Sequence, residues 1–100
     1  MGFKSTKMPD GKTIRMELPE AFDVHVHKPF RAAYRDVTTV TVFELDFLHT
    51  TRLDSSGLGM MLQLREHAEK HGSTVRVLNP SSAVREILQV ARFDKLFSIS

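Results

Sequence analysis

Across seven residues, Leu53-Asp54-Ser55-Ser56-Gly57-Leu58-Gly59, this chain changes its pattern. An apolar, β-branched stretch, Val37 to Leu48, leads in. A run with helical spacing, Leu58 to His71, leads out. The seven residues therefore read as a turn from a buried strand into a helix, with two hydroxyls at the helix start. A strand that feeds a helix and is followed by another strand is most economically closed as a parallel crossover. The same turn carries chemistry. The first N–H groups of a helix lack intrahelical partners and its dipole favours negative charge, so a covalent phosphate can be held there.

The rest of the chain fits the same alternation. Lys12 to Leu18 places Ile14, Met16 and Leu18 on one side and Thr13, Arg15 and Glu17 on the other, which predicts a half-buried strand that Pro19 ends. Met1 to Met8 is an edge strand or a loose arm, and Pro9-Asp10-Gly11 is a turn. Phe22 to Asp36 is ambiguous, because Phe22, Val24 and Val26 alternate while Phe30, Ala33 and Tyr34 have helical spacing. A helix over Lys28 to Arg35, preceded by an irregular turn from Asp23, accommodates Pro29 in a first turn. Val37 to Leu45 is the strongest strand and is expected at the sheet centre. In the next helix Leu58, Met61, Leu62 and Arg65 form the stripe, broadened by Leu64 and Ala68, and Gly72 ends it. Thr74 to Leu78 is a short strand, Asn79-Pro80-Ser81 a stop and cap, and Ser82 to Ala91 a helix burying Val84, Ile87, Leu88 and Ala91.

With 100 residues and 41% hydrophobic side chains, the chain is expected to form one domain with one modest core. It contains no cysteine, so neither disulfides nor thiolate chemistry enter. It has no apolar run of membrane-spanning length, and Lys4, Lys7 and Lys12 have no apolar run behind them. A cytoplasmic protein is expected. Its formal net charge is +2 with the signs interleaved, which argues against a nucleic-acid partner.

Several readings of the serine turn compete. Serine before a helix is often only a cap. A nucleophile elbow needs glycine two residues before the serine, where Leu53 and Asp54 stand. A dinucleotide fingerprint needs a further glycine after Gly59, and a P-loop needs a lysine there; Met60-Met61-Leu62 follows. His67 and His71, one turn apart, lack the glutamate and third ligand of a zinc helix. Neither an enzyme, a metal site nor a cofactor site is expected.

Asp54-Ser55-Ser56-Gly57-Leu58-Gly59, after a β-rich segment and opening an amphipathic helix, resembles the phosphorylation-site signature of the STAS family. These are the anti-sigma-factor antagonists and the related sulfate-transporter domains. The resemblance extends over roughly Lys12 to Phe97. It implies an α/β STAS fold, a small mixed or parallel sheet with helices packed on one side, and residues 1–11 as an arm or edge strand. It implies a regulatory binding protein of a bacterial partner-switching pathway. The phosphate would sit on Ser55, the serine after the aspartate, with Ser56 as alternative site or helix cap. The partners would be a protein kinase that is also the anti-sigma factor, and a serine phosphatase. Asp54, Ser56, Gly57, Leu58, Gly59 and Met60 would form the phosphosite turn and partner contact, Met60 because it lies off the main stripe. The chain departs from the family where Leu18-Pro19-Glu20-Ala21-Phe22-Asp23 replaces a glycine-rich segment ending in aspartate, so the partner face is expected to differ. Two rivals are a non-switching STAS subunit docked on a transporter ATPase or other membrane machinery, and an acyl- or nucleotide-binding module using the Asp54 turn.

Overall fold

The computed structural model describes residues 2–100. The chain runs through β1 (Lys4–Lys7), β2 (Thr13–Glu17), β3 (Ala21–Phe22), α1 (His27–Tyr34), β4 (Val42–Asp46), β5 (Arg52–Leu53), α2 (Ser55–Lys70), β6 (Thr74–Leu78), α3 (Ser82–Val90) and β7 (Ser98–Ile99). Short 3-10 turns, Val24–Val26 and Phe93–Lys95, precede α1 and follow α3. The main sheet has the order β1-β2-β4-β6-β7. β1 is antiparallel to β2 and the other pairings are parallel. Each parallel step carries one helix, as crossover geometry requires. The fold is a mixed-sheet α/β arrangement with its helices on one side.

The pleat explains that one-sidedness. Ile14 pairs with Phe43 and Phe43 with Val75; Met16 pairs with Leu45 and Leu45 with Val77. These six side chains are buried together under the helices. On the open face Arg15, Glu44 and Arg76 share a row, with Glu44 bridging Arg15 at 2.9 Å and Arg76 at 3.8 Å.

Three sequence expectations need correction. The central strand begins at Val42 rather than Val37. Its partner β2 starts only at Thr13, so residues 37–40 have no ladder to join, and β-branched composition cannot substitute for one. Second, α2 opens at Ser55, three residues before the expected start, and Asp54 rather than either serine is its N-cap. Third, α2 buries Gly57, Met60, Met61, Leu64 and Ala68, while Leu62 is 41% exposed. The contact face is thus rotated from the expected stripe towards Gly57, where a missing side chain lets the helix approach closely.

The ambiguous segment also resolves. Asp23 caps the 3-10 turn by accepting from the His25 N–H at 2.9 Å, and the chain then enters α1 at His27. Ala21 and Phe22 form a two-residue parallel pairing with Arg52 and Leu53, separate from the main sheet.

Candidate functional site

The serine turn is held from three sides. Upstream, Thr50 is buried and donates through Oγ1 to the Pro19 carbonyl at 2.8 Å. The Thr51 and Arg52 N–H groups both donate to the Glu20 carbonyl, at 2.8 and 3.0 Å. Leu53 then pairs with Phe22 and plunges into the core. At the turn, extended Asp54 (φ −110°, ψ −175°) accepts the Gly57 N–H on Oδ1 at 3.0 Å, and its carbonyl accepts the Leu58 N–H at 3.0 Å. Below the turn, Gly57 presses on the β3–β5 pair. A Cβ there would collide with the Phe22 carbonyl oxygen and stand 2.7 Å from Leu53 Cδ1.

With Asp54 as cap, Ser55 and Ser56 become the first two helical residues. Both are exposed, and among the described residues neither hydroxyl has a hydrogen-bond partner. Their N–H groups belong to the unpaired first turn, at the positive end of a 16-residue helix.

Helical spacing sends the two serines to different flanks. Ser55 lies one turn before Leu58, which lines a largely apolar groove of about 510 Å³ against Ala83, Glu86, Ile87, Val90 and Ala91 of α3 and its end. Ser56 opens instead onto a smaller cleft of about 200 Å³ with Val24, His27, Gly59 and Gln63, on the α1 side. The predicted site residues therefore separate. Asp54 and Gly57 build the turn, Leu58 borders the α3 groove, and Gly59 is exposed, with open space where a side chain would begin. Met60, read from the sequence as a partner contact, is only 4% exposed and belongs to the core. It faces inward because α2 is turned towards Gly57, and it reaches the surface only in the cleft it lines with Ser56.

Sequence reasoning missed the α2–α3 groove. Its signal was available: Val90 is apolar but off the buried stripe of α3, and it is 79% exposed. His67, in the last turn of α2, is only half-exposed. Its Nε2 donates to the Val37 carbonyl at 2.8 Å, and its ring lies edge-on to Tyr34 and Phe43. Among the described residues no helix is long and apolar enough to cross a membrane.

A mixed sheet of this strand order, helices on one face, and a capped Asp-Ser-Ser-Gly turn at the second helix define a class of small α/β domains. The family model described as "Mlab, STAS domain" matches residues 6–98, and the chain belongs to the STAS domain family. A STAS-domain containing protein of Pseudomonas aeruginosa (strain UCBPP-PA14) is 37% identical over 101 residues, covering 100% of both chains. Among solved structures, the anti-sigma factor antagonist SpoIIAA in its unphosphorylated form superposes with a TM-score of 0.84 at 24% identity, over 99% of this chain and 88% of that one. The phosphorylated form of the Bacillus protein gives 0.77 at 24% identity, over 99% and 91%. A sulfate transporter family protein from Wolinella succinogenes gives 0.76 at 18% identity, over 89% and 78%. At these identities the solved structures establish the fold.

Proposed function

We propose that this chain is a phosphorylation-controlled regulatory binding protein, similar in role to an anti-sigma-factor antagonist, that acts as ligand and kinase substrate rather than as an enzyme. One observation carries this reading. Asp54 does the capping, so the two exposed serine hydroxyls have no structural task, yet they stand at a helix start suited to a phosphate. The phosphorylated and unphosphorylated SpoIIAA structures, alike in fold, are consistent with a switch that works without refolding.

Ser55 is the preferred site because it stands one helical turn before Leu58, which lines the largely apolar α2–α3 groove, the surface best suited to a protein partner. A phosphoserine adds about 1.5–2 negative charges. On the free domain the helix start favours such a charge by ~0.3–1 kcal/mol. Within a docked interface the same charge loses water next to Asp54 and apolar side chains, at a cost of several kcal/mol. Each ~1.4 kcal/mol is tenfold in affinity, so one phosphate suffices to release a partner. In this reading the unphosphorylated protein binds a kinase-type anti-sigma factor in the cytoplasm, the kinase modifies it, and a serine phosphatase resets it.

The test is phosphosite mapping on protein from its own cells, with pull-downs of wild type, Ser55→Ala and Ser55→Asp. Phosphate on Ser55, with a partner kept by alanine and lost by aspartate, is expected. If neither serine is ever modified and aspartate keeps the partner, the switch is wrong. A permanent docking subunit of a transporter ATPase then takes its place. Exposed Leu62 and Val90, the latter lining the α2–α3 groove, are what favour that second reading.

A further inference from the structure

On the flank of α2 away from Ser55, a second cleft of about 360 Å³ opens between the C-terminal halves of α1 and α2. Arg31 and Arg35 approach it from the α1 side and Lys70 from α2, with Glu66 as its one carboxylate. The local charge excess thus equals that of the whole chain, +2.

Cations near helix C-termini ordinarily answer the dipole or bond the last carbonyls. Here several of those carbonyls already have backbone donors. The Arg31 carbonyl accepts the Arg35 N–H at 3.0 Å, and the Tyr34 carbonyl accepts the Val37 N–H at 2.9 Å. The Ala68 carbonyl accepts the His71 and Ser73 N–H groups at 3.1 and 2.8 Å. Arg65 and Arg85 do reach backbone carbonyls, those of Leu96 and Ser100. Among the described residues Arg31 and Lys70 have no such bond and no ion pair, and Arg35 has only an exposed contact with Asp36 at 3.6 Å.

Tyr34 supplies the independent observation. It is 5% exposed and lines the cleft, and among the described residues its hydroxyl has no hydrogen-bond partner. Because no fully enclosed side-chain oxygen in those residues lacks a partner, the hydroxyl reaches the cleft surface. Burial raises the phenol above its ordinary pKa, opposed by Arg31 and reinforced by Glu66, so it is a donor at neutral pH. The fixed His67 ring, edge-on to Tyr34 with centroids 5.2 Å apart, backs this wall.

We propose that this cleft binds a small phosphate ester carrying hydroxyl groups, with Arg31 and Lys70 gripping the phosphate from opposite helices and the Tyr34 hydroxyl donating to it. A phosphate monoester spreads three acceptor oxygens tetrahedrally and carries up to two charges, which suits donors arriving from two helices better than the flat, singly charged carboxylate does. Glu66 repels an anion placed against it but accepts from a hydroxyl, which favours a phosphorylated sugar over inorganic phosphate. The volume falls in the range of small-ligand sites.

The test is NMR titration of the full isotope-labelled chain at constant ionic strength. The probes are ribose 5-phosphate, adenosine 5′-monophosphate and inorganic phosphate. Saturable shifts confined to residues 31–35 and 63–70, with Kd at or below about 1 mM for one of the two esters, are expected. The preferred ester shows whether the sugar alone or the base as well is recognised. Arg31→Gln and Lys70→Gln should each weaken binding at least tenfold and Tyr34→Phe severalfold, while Arg85→Gln changes nothing. Arg31 and Lys70 are exposed, so their variants keep the fold. No saturation by either ester, inorganic phosphate binding as tightly as both, or affinities unaltered in both charge variants would overturn the proposal. Ser55→Ala should leave this binding intact, so the two proposals stand or fall separately.

Discussion

Gly57 and Gly59 sit one residue apart in the first turns of α2, and their surroundings could hardly differ more. Gly57 is pressed against the Phe22 backbone, whereas Gly59 has nothing within 4 Å of the position a Cβ would take. Gly57→Ala should therefore destabilise the protein by about 1–3 kcal/mol through overpacking, read as a lower urea midpoint at unchanged slope. Gly59→Ala should do the reverse, adding ~0.5–1 kcal/mol of helix propensity. If Gly59 is kept for a partner's close approach, the same variant will lose the partner while gaining stability. Two carboxylates, exposed Asp10 and half-buried Asp23, set a pH response. Backbone N–H donation from Lys12, supported by the Thr13 hydroxyl, holds Asp10 below the ordinary aspartate range. Donation from His25 does the same for Asp23. A folded carboxyl with a lowered pKa binds fewer protons than the unfolded one. Its stabilisation is present above the unfolded value of about 4 and is lost as pH falls through the folded value. Acid unfolding should accordingly be less steep below about pH 4 in an Asp10→Asn, Asp23→Asn double variant, measured by circular dichroism.

At the scale of the elements, α2 is the helix whose orientation decides the site. Its sequence offers apolar residues on more than one face, and spacing alone put Leu58 and Leu62 on the buried stripe together with Met61, Leu64 and Ala68. The packed face is instead Gly57, Met60, Met61, Leu64 and Ala68, because only the glycine edge can come close to the β3–β5 pair. Leu64→Ala should cost about 2–5 kcal/mol as a core deletion. Leu62→Gln should stay within about 0.5 kcal/mol, since its side chain faces solvent beside the α3 groove. Equal losses for the two in thermal unfolding would mean that the helix is rotated as the spacing alone suggested. The central strand shows the complementary limit. Residues 42–45 were legible as strand, but 37–40 carry the same composition and lie beyond the end of their neighbour. Pairing partners far along the chain ended that strand, and no local pattern records them.

For the whole molecule, Phe22 is the joint. It is fully buried, packs edge-on to Phe30 and Phe47 at 5.1 and 6.0 Å, and pairs through its backbone with Leu53 just before the serine turn. Phe22→Ala should lower stability by about 3–5 kcal/mol. Ser55→Asp should leave the melting temperature within a few degrees of wild type, because an exposed acid at a helix start is tolerated. A large loss of stability with Ser55→Asp would instead make partner release a consequence of unfolding. The sequence by itself determined the alternation of strands and helices, the α/β class, the family resemblance and the position of the Asp-Ser-Ser-Gly turn. Those follow from local periodicity, β-branched composition and turn chemistry, which act over a few residues. Tertiary contacts were needed to make Asp54 rather than a serine the cap of α2, to bury Met60, and to open Ser56 onto the α1-side cleft. They also decided that Arg31, Tyr34 and Lys70 meet at one cleft. These depend on how α2 is rotated and how closely it approaches β3, and that is set by contacts between residues more than thirty positions apart, such as Phe22 with Leu53 and Gly57.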